Sequence, residues 1–175
     1  MHLQTGATRR HDQRVSHQSA SPDREVPFVL DDVARRIIEQ LQEDGRRSYA
    51  SIASSVGMSE AAVRQRVQRL LEAGVMQIVA VTDPLTLGFS RQAMIGVRVD
   101  GDLRRVAEEL AQLDEVDYVV ITAGYFDILI EVVCEDDDRL LTLLNDGVRA
   151  VDGVRETQTL MYLRLVKQTY SWGTR

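Results

Sequence analysis

The sequence predicts an α+β protein of two domains, a winged helix-turn-helix domain followed by a ferredoxin-like domain of order βαββαβ. Three observations support this prediction. Apolar residues recur at helical spacing in three short segments between residues 31 and 74. After residue 91, strand-like and helical segments alternate in the order β-α-β-β-α-β. Between the two halves, Asp83-Pro84 and Gly88 indicate a linker.

Four segments divide the 175 residues. Residues 1–28 are polar, and we expect them to form a disordered leader. Their arginines could contact DNA as an arm, although a loose terminus is the simpler interpretation. The helix-turn-helix domain is predicted over 29–82, the linker over 83–90 and the second domain over 91–175.

The composition excludes several classes of function. All three histidines lie in the leader, at His2, His11 and His17, so the body of the chain has no imidazole for catalysis or for binding a metal. We therefore expect no catalytic residue, no cofactor and no metal. The single cysteine, Cys134, lies in a strand-like run and is expected to be buried. A single cysteine cannot form an intramolecular disulfide, so we expect a reducing, cytoplasmic setting, and no apolar run approaches the length of a membrane span.

The charge is divided between the two halves. The net charge is -6, yet acids and bases balance between residues 29 and 74, and the acidic excess follows Ser90. A neutral half with clustered arginines can approach phosphate, whereas the acidic half is repelled by it. The acidic run 114–117 is interpreted as a solvated loop rather than a binding site.

The first two predicted helices begin at polar capping residues. Asp31 caps the first helix, and Ser48 caps the second. A helix-turn-helix needs a small residue in its second helix, where the third crosses closely, and Ala53 meets that need. It also needs a residue that tolerates positive φ in the turn, which Gly57 provides.

The third helix runs from Ser59 to Ala73 and ends before Gly74. Its inner stripe consists of Val63, Val67, Leu70 and Leu71. The opposite face carries small residues, amides and arginines, which suit a groove floor, base edges and phosphates. An ordinary solvated amphipathic helix is the alternative for this segment alone. The residues expected to contact DNA, including the arginine pair before the second helix, are Arg46, Arg47, Ser48, Ser59, Glu60, Ala61, Ala62, Arg64, Gln65, Arg66 and Arg69.

After the third helix, residues 75–82 are predicted to form a strand pair or wing. The second domain is predicted to have strands at 92–99, 116–122, 128–134 and 157–166, with helices at 103–113 and 137–150. In such a fold both helices cover one face of the sheet. The other face then needs a partner, which predicts at least a dimer formed through the sheets.

The combined pattern resembles the Lrp/AsnC, or feast/famine, family of transcription regulators. The residues that carry the resemblance include Ile52-Ala53, Val56-Gly57-Met58-Ser59, Arg66-Val67, Arg69-Leu70, Ala73-Gly74-Val75, Asp83-Pro84, Leu87-Gly88, and Gly124 with Asp127. Met76 departs from the isoleucine usual in the family. The resemblance implies a sequence-specific regulator of double-stranded DNA, assembled from dimers into an octamer or similar ring, whose operator binding responds to a small effector, an amino acid.

The resemblance also assigns the effector to the loop between the middle strands. Carried over residue by residue, this loop consists of Thr122, Ala123, Gly124, Tyr125, Phe126 and Asp127. Gly124 would let backbone amides approach a carboxylate, and Asp127 would accept hydrogen bonds from an ammonium group. The residues alone equally suit a tight hairpin in which Gly124 makes the turn and Asp127 caps it.

Two other functions remain possible from the sequence. A ligand-independent architectural DNA-binding protein would have the same fold. The sirohaem decarboxylases are also similar across both domains, but they use histidines that the body of this chain lacks. We therefore do not expect an enzyme.

Overall fold

A computed structural model describes residues 30–169 and residue 174. The predicted leader, residues 1–28, lies outside the described residues. The chain forms two compact units that divide between Ile78 and Val79. The domain limits predicted from the sequence, with a linker over 83–90, stay predictions.

The first unit contains three helices: α1 (Asp32–Glu43), α2 (Tyr49–Val56) and α3 (Glu60–Glu72). Each predicted cap is confirmed. A side-chain oxygen of Asp31, Ser48 and Ser59 accepts a hydrogen bond from an amide in the first turn of its helix. Between α2 and α3, Gly57 has a φ of 73°, a left-handed conformation that favours glycine.

The three helices pack around one apolar core. Ile37, Ile52 and Val63, one from each helix, are fully buried. Ala53 is also buried, as expected for the small residue at the close crossing of α2 and α3. The predicted inner stripe of α3 is buried at Val63, Val67 and Leu70, and Leu71 is half-buried. The helical periodicity of the sequence therefore identified the correct inner faces.

The strand pair predicted at 75–82 is wrong for this chain, because residues 76–83 form neither strand nor helix. Ile78, Val79 and Val81 are about half-exposed, and no described strand pairs with them. A β-propensity pattern becomes a strand only where another strand satisfies its backbone groups. Within the predicted linker, Leu85–Leu87 form a short 3₁₀ turn, with the Asp83 carboxylate accepting from the Leu85 amide at 3.1 Å.

The second unit has the predicted order of elements. These are β1 (Arg91–Val99), α4 (Leu103–Leu110), β2 (Val116–Ile121), β3 (Ile128–Cys134), α5 (Asp137–Thr142) and β4 (Val154–Met161). A π-helical turn, Leu143–Val148, continues α5. The strands form an antiparallel sheet of order β2-β3-β1-β4, and this confirms the α+β ferredoxin-like fold.

Alternation along the strands separates two faces of the sheet. On the face packed in the core, Ile95, Ile130 and Val97 are fully buried, as is Cys134 at the end of β3. Burial raises the pKa of the Cys134 thiol. We use "open face" for the other side, which carries Met94, Tyr118, Val120, Leu129 and Leu160.

Two predicted boundaries in this unit are wrong. The last strand lies over Val154–Met161 rather than 157–166: its pairing with β1 runs from Val154, opposite Val99, to Met161, opposite Ala93, and the Tyr162 amide adds one more hydrogen bond to the Gln92 carbonyl. The first helix of the unit ends at Leu110 instead of residue 113. No helix among the described residues is both long and apolar enough to cross a membrane.

Candidate functional site

The outer side of α3 remains in water. Ala61, Gln65, Gln68 and Arg69 are exposed, and Ala62 is half-buried. They line a shallow, open depression of about 810 Å³ along the helix. Since Val63, Val67 and Leu70 bury the opposite side, α3 is fixed to the domain while its amide and arginine side chains stay accessible.

Arg64 is held at the first turns of α2 and α3. Its Nη2 donates to Glu60 Oε1 at 3.0 Å, and its guanidinium carbon lies 5.2 Å from the centre of the Tyr49 ring. The ring and the guanidinium form a cation–π contact. The sequence interpretation named Glu60 and Arg64 but missed Tyr49, whose only local signal was an aromatic side chain beside the Ser48 cap.

Arg66 turns toward α1. Its Nη1 donates to Asp31 Oδ2 at 2.6 Å, while Asp31 Oδ1 accepts from the Ala34 amide at 2.7 Å. The Ala34 amide, followed by Arg66, holds the pKa of the Asp31 carboxyl below its ordinary value. Arg66 thus ties α3 to the start of α1, whereas Arg69 forms no ion pair with any residue in the described part of the chain.

Two arginines precede α2: Arg47 forms an ion pair, and Arg46 forms none with the described residues. Arg47 Nη2 lies 3.1 Å from Glu43 Oε2, and its Nη1 donates to Gln40 Oε1 at 3.3 Å. Arg46 is exposed, and over residues 30–169 its side chain has no ionic partner. The Ser48 hydroxyl accepts from the Ser51 amide at 3.2 Å as the cap of α2.

The predicted effector loop, Thr122 to Asp127, joins β2 to β3 and is bound to the end of β1. The Thr122 amide donates to the Asp127 carbonyl at 2.9 Å, and the Asp127 amide donates to the Val97 carbonyl at 3.0 Å. Asp127 Oδ2 also accepts from the Val99 amide at 2.9 Å. One carboxylate oxygen of Asp127 therefore links the loop to β1. As a structural role for Asp127, the sequence predicts only a cap within the hairpin.

Gly124 is not required by the turn. Its φ is not positive, and a Cβ at this position would meet nothing within 4 Å. The interpretation in which Gly124 supplies the conformation of a tight hairpin is therefore wrong. Ala123, Gly124 and Tyr125 are exposed at the tip, and the backbone of Gly124 is open to close approach.

The two aromatic residues of the loop occupy different positions. Phe126 covers Gly96 of β1 so closely that a Cβ on Gly96 would lie 2.6 Å from the ring. Tyr125 is exposed and meets Phe126 edge to face, with ring centres 4.9 Å apart. The Arg98 guanidinium carbon lies 5.0 Å from the centre of the Tyr125 ring. Sequence reasoning missed Gly96 and Arg98, because they lie far from the loop along the chain.

The described residues contain no cluster of three His, Cys, Asp or Glu side chains suited to a metal ion. Nor does the loop bring together a nucleophile and a general base. The loop presents open backbone at Gly124, a carboxylate at Asp127 and a cation beside Tyr125.

Comparison with known proteins agrees with this arrangement. Residues 30–71 match the AsnC-type helix-turn-helix domain, and residues 92–172 match the Lrp/AsnC ligand binding domain. The chain is 37% identical over 145 residues to an uncharacterized HTH-type transcriptional regulator of Pyrococcus furiosus, covering 82% of this chain and 98% of that protein. It is 29% identical over 140 residues to the regulatory protein AsnC of Escherichia coli, covering 78% of this chain and 92% of AsnC.

Solved structures give the same result. E. coli AsnC superimposes with a TM-score of 0.72 at 27% identity, over 82% of this chain and 99% of AsnC. A transcriptional regulator of Neisseria meningitidis, solved as an L-Met complex, gives 0.70 at 26% identity, over 81% and 94% of the two chains. This chain therefore belongs to the Lrp/AsnC family: it is a transcriptional regulator, not an enzyme, with a DNA-binding helix-turn-helix and a ligand-binding domain.

Proposed function

We propose that α3 enters the major groove of an operator and reads its sequence. The observation that carries this proposal is the two-sided character of α3, which buries Val63 and Val67 and leaves Gln65 and Arg69 in water. Gln65 and Arg69 are the direct readers, because no described residue holds either side chain and both types bind base edges. Ala61 and Ala62 let the helix approach the groove floor. Because this activity requires chromosomal DNA, we propose a cytoplasmic location.

The arginines that form ion pairs within the domain, Arg47 and Arg64, contact phosphates in the same complex. Exposed ion pairs contribute at most about 1 kcal/mol, so Arg47 and Arg64 can exchange their carboxylate partners for phosphate oxygens. Arg46 has no ionic partner among residues 30–169, so it can contact a phosphate without giving up a carboxylate. Ser48 and Ser59 accept hydrogen bonds within their helices, and each hydroxyl hydrogen remains available for a phosphate oxygen. Arg66 contributes mainly by fixing the position of α3.

Two copies join through the open faces of their sheets. This face exposes Tyr118 and Leu160 by about half, at 51% and 46%, together with the half-buried Met94, Val120 and Leu129. An apolar face of this extent is stable in water when a second copy covers it. The dimer would place two α3 helices in successive major grooves, about 34 Å apart. Higher assembly of such dimers would form the octamer or similar ring.

The ligand-binding domain responds to an amino acid held at the loop from Thr122 to Asp127. Open backbone at Gly124 and the second oxygen of Asp127 supply groups for a carboxylate and an ammonium. The structural neighbour from N. meningitidis was solved in complex with L-Met, an amino acid. A ligand changes operator binding only if it has different affinities for two states of assembly.

The DNA proposal is tested by selecting bound duplexes from a random library with the full chain. The selected duplex is then titrated with Arg69→Ala and with a matched control, Arg104→Ala on the exposed side of α4. We expect Arg69→Ala to weaken binding and Arg104→Ala to leave it unchanged. If both variants bound the selected duplex with equal affinity, α3 would not be the helix that reads its sequence.

The effector proposal is tested by thermal shift across the common amino acids, followed by DNA titration with each amino acid that stabilises the protein. Sedimentation with and without the same compounds measures assembly. A ligand-induced change in both DNA affinity and assembly supports the proposal. Strong DNA binding with no response to any amino acid would favour the architectural alternative.

A further inference from the structure

Arg98 lies on the open face near the end of β1, two residues beyond the glycine covered by Phe126. Its guanidinium packs against Tyr125, with 5.0 Å between the guanidinium carbon and the ring centre. Arg98 is half-buried, and its Nε is buried without an acceptor. A buried N–H without an acceptor is unfavourable, so the guanidinium of Arg98 is incompletely compensated by the described residues of this chain.

Comparable arginines of the same unit are satisfied. Arg91 is half-buried and pairs with Asp137, while Arg105, also half-buried, lies 2.6 Å from Glu109 Oε1 and 3.2 Å from Asp152 Oδ2. Arg98 has no carboxylate within ion-pair distance among the residues that the structure describes. Glu156 is opposite Arg98 in the strand register, yet the two do not form an ion pair.

The contact with the Tyr125 ring leaves Arg98 suited to binding a carboxylate. Stacking on a ring leaves the edge of a guanidinium free, and that edge matches the two oxygens of a carboxylate. The ring of Tyr125 is 63% exposed, so it can also cover the carbon next to that carboxylate. Because the second half of the chain is acidic overall, an anion needs a specific cation to bind there.

We propose that Arg98 and Tyr125 form the carboxylate subsite of the effector loop. The guanidinium of Arg98 binds both carboxylate oxygens of the effector, whose remaining lone pairs face the open backbone at Gly124, and Tyr125 covers the adjacent carbon. The inference rests on the proposed function, since it names the chemical group by which the effector is held. It predicts that the effector must be a free carboxylate and that an amide or ester of the same molecule is rejected.

A carboxylate from a second copy is the competing occupant of this position. The open face offers Glu131 and Glu156 as candidates. Glu131 is already engaged, since it accepts from Gln92 Nε2 at 2.8 Å and contributes to the raised pKa of Tyr162 after burial. Glu156 is exposed to water and does not pair even with the Arg98 opposite it in the same chain. These contacts favour a small molecule.

The test uses the full chain and the amino acids that bind it. Each one is compared with its carboxamide by isothermal titration, on the wild type, Arg98→Gln, Arg98→Lys and the control Arg104→Gln. We expect at least tenfold weaker binding for the amide and for Arg98→Gln, partial recovery in Arg98→Lys, and no change in Arg104→Gln. Arg98→Lys is informative because it keeps the charge but loses the two-point geometry.

Four results would overturn the inference. Equal binding of acid and amide by the wild type, or equal binding of the acid by the wild type and Arg98→Gln, would remove the subsite while leaving the effector function intact. A change in dimer dissociation alone, with ligand affinity unchanged, would assign Arg98 to the contact between copies. If no amino acid binds the wild type, the proposed effector function itself fails, and the inference fails with it.

Discussion

The Nη1 atom of Arg66 on α3 lies 2.6 Å from Oδ2 of Asp31, the residue that caps α1. The other oxygen of Asp31 binds the Ala34 amide, so one carboxylate closes the start of α1 and fixes α3 beside it. This pair separates the arginines of α3 into two groups. Arg66 ties α3 to the start of α1, whereas Arg69 has no ionic partner among the described residues and is the one proposed to contact DNA.

The first prediction concerns acid stability. Because the pKa of Asp31 is lowered in the folded protein, first by the Ala34 amide and then by Arg66, its charged form stabilises the fold. That stabilisation is present above the ordinary pKa of the carboxyl and is lost as the pH falls through the lowered value. Arg66→Ala should therefore destabilise the protein near neutral pH and flatten the loss of stability on acidification.

Urea unfolding followed by circular dichroism, between neutral pH and about pH 3, measures this effect. Asp31→Asn keeps a side-chain oxygen for the cap and serves as the second variant, because it removes the charge. Asp31→Asn should lose the whole pH-dependent contribution of Asp31, whereas Arg66→Ala should lose only the part that comes from the pair and keep the part due to the Ala34 amide. A pH profile of Arg66→Ala that parallels the wild type would show that the ion pair does not contribute in solution.

The second prediction concerns the salt dependence of DNA binding. Arg69 has no ionic partner within the described chain, so its replacement by alanine should leave the free energy of unfolding nearly unchanged. If Arg69 contacts a phosphate, the slope of log affinity against log salt should fall by about 0.9. If it contacts a base edge, affinity should fall for the selected duplex and hardly at all for a random one.

Fluorescence anisotropy on both duplexes at several salt concentrations distinguishes these outcomes. Gln68→Ala is a suitable comparison on the same helix, because the Gln68 side chain donates to Glu72 at 2.9 Å and is already engaged. An Arg69→Ala variant with unchanged slope and unchanged discrimination would contradict the assignment.

The third prediction separates two roles of Ser59. Its hydroxyl caps α3 by accepting from the Ala62 amide at 3.2 Å, and it is also an expected DNA contact. Ser59→Ala should lose about 1 kcal/mol of stability, because the cap is removed. Ser59→Asp should keep the cap and stability, but its charge should repel phosphate and weaken DNA binding. Thermal melts and DNA titrations of the two variants measure these effects, and stable Ser59→Asp with full affinity would place Ser59 away from the duplex.

Local patterns predicted most of this fold. Asp31, Ser48 and Ser59 identified the helix starts correctly because a cap depends on residues within one turn of the helix. Strand-like runs likewise located β1 and β3, the strands whose Ile95 and Ile130 are buried. Both signals are contained in a few consecutive residues.

Relationships between distant residues could not be predicted in the same way. Arg66 and Asp31 are separated by 35 positions, and nothing near Arg66 indicates that it turns toward α1. The extent of β4 depends on its pairing with β1, about 60 residues earlier in the chain, and the failed strand after α3 depends on the lack of a partner among the described strands. The loop could be named from the family resemblance, but its contacts with Gly96 and Arg98 required the fold.

The fourth prediction concerns the packing of the Phe126 ring on Gly96. A Cβ at Gly96 would lie 2.6 Å from the Phe126 ring, so Gly96→Ala must displace the ring and the loop. Overpacking of this kind costs about 1 to 3 kcal/mol. Phe126→Leu removes the ring, and the double variant should lose less stability than the sum of the two single variants. Additive losses in urea unfolding would mean that the ring does not occupy this position.

The fifth prediction distinguishes two roles of Asp127. Its Oδ2 accepts from the Val99 amide at 2.9 Å, and its second oxygen is proposed to bind the ammonium of the effector. Asp127→Ala removes both and leaves the Val99 amide without this acceptor, at a cost of about 1 to 3 kcal/mol. Asp127→Asn keeps an oxygen for Val99 but has no charge for the ammonium. We therefore expect Asp127→Asn to melt near the wild-type temperature while losing at least tenfold in amino-acid affinity. If Asp127→Asn bound the amino acid as tightly as the wild type, the role of Asp127 would be confined to holding the loop against β1.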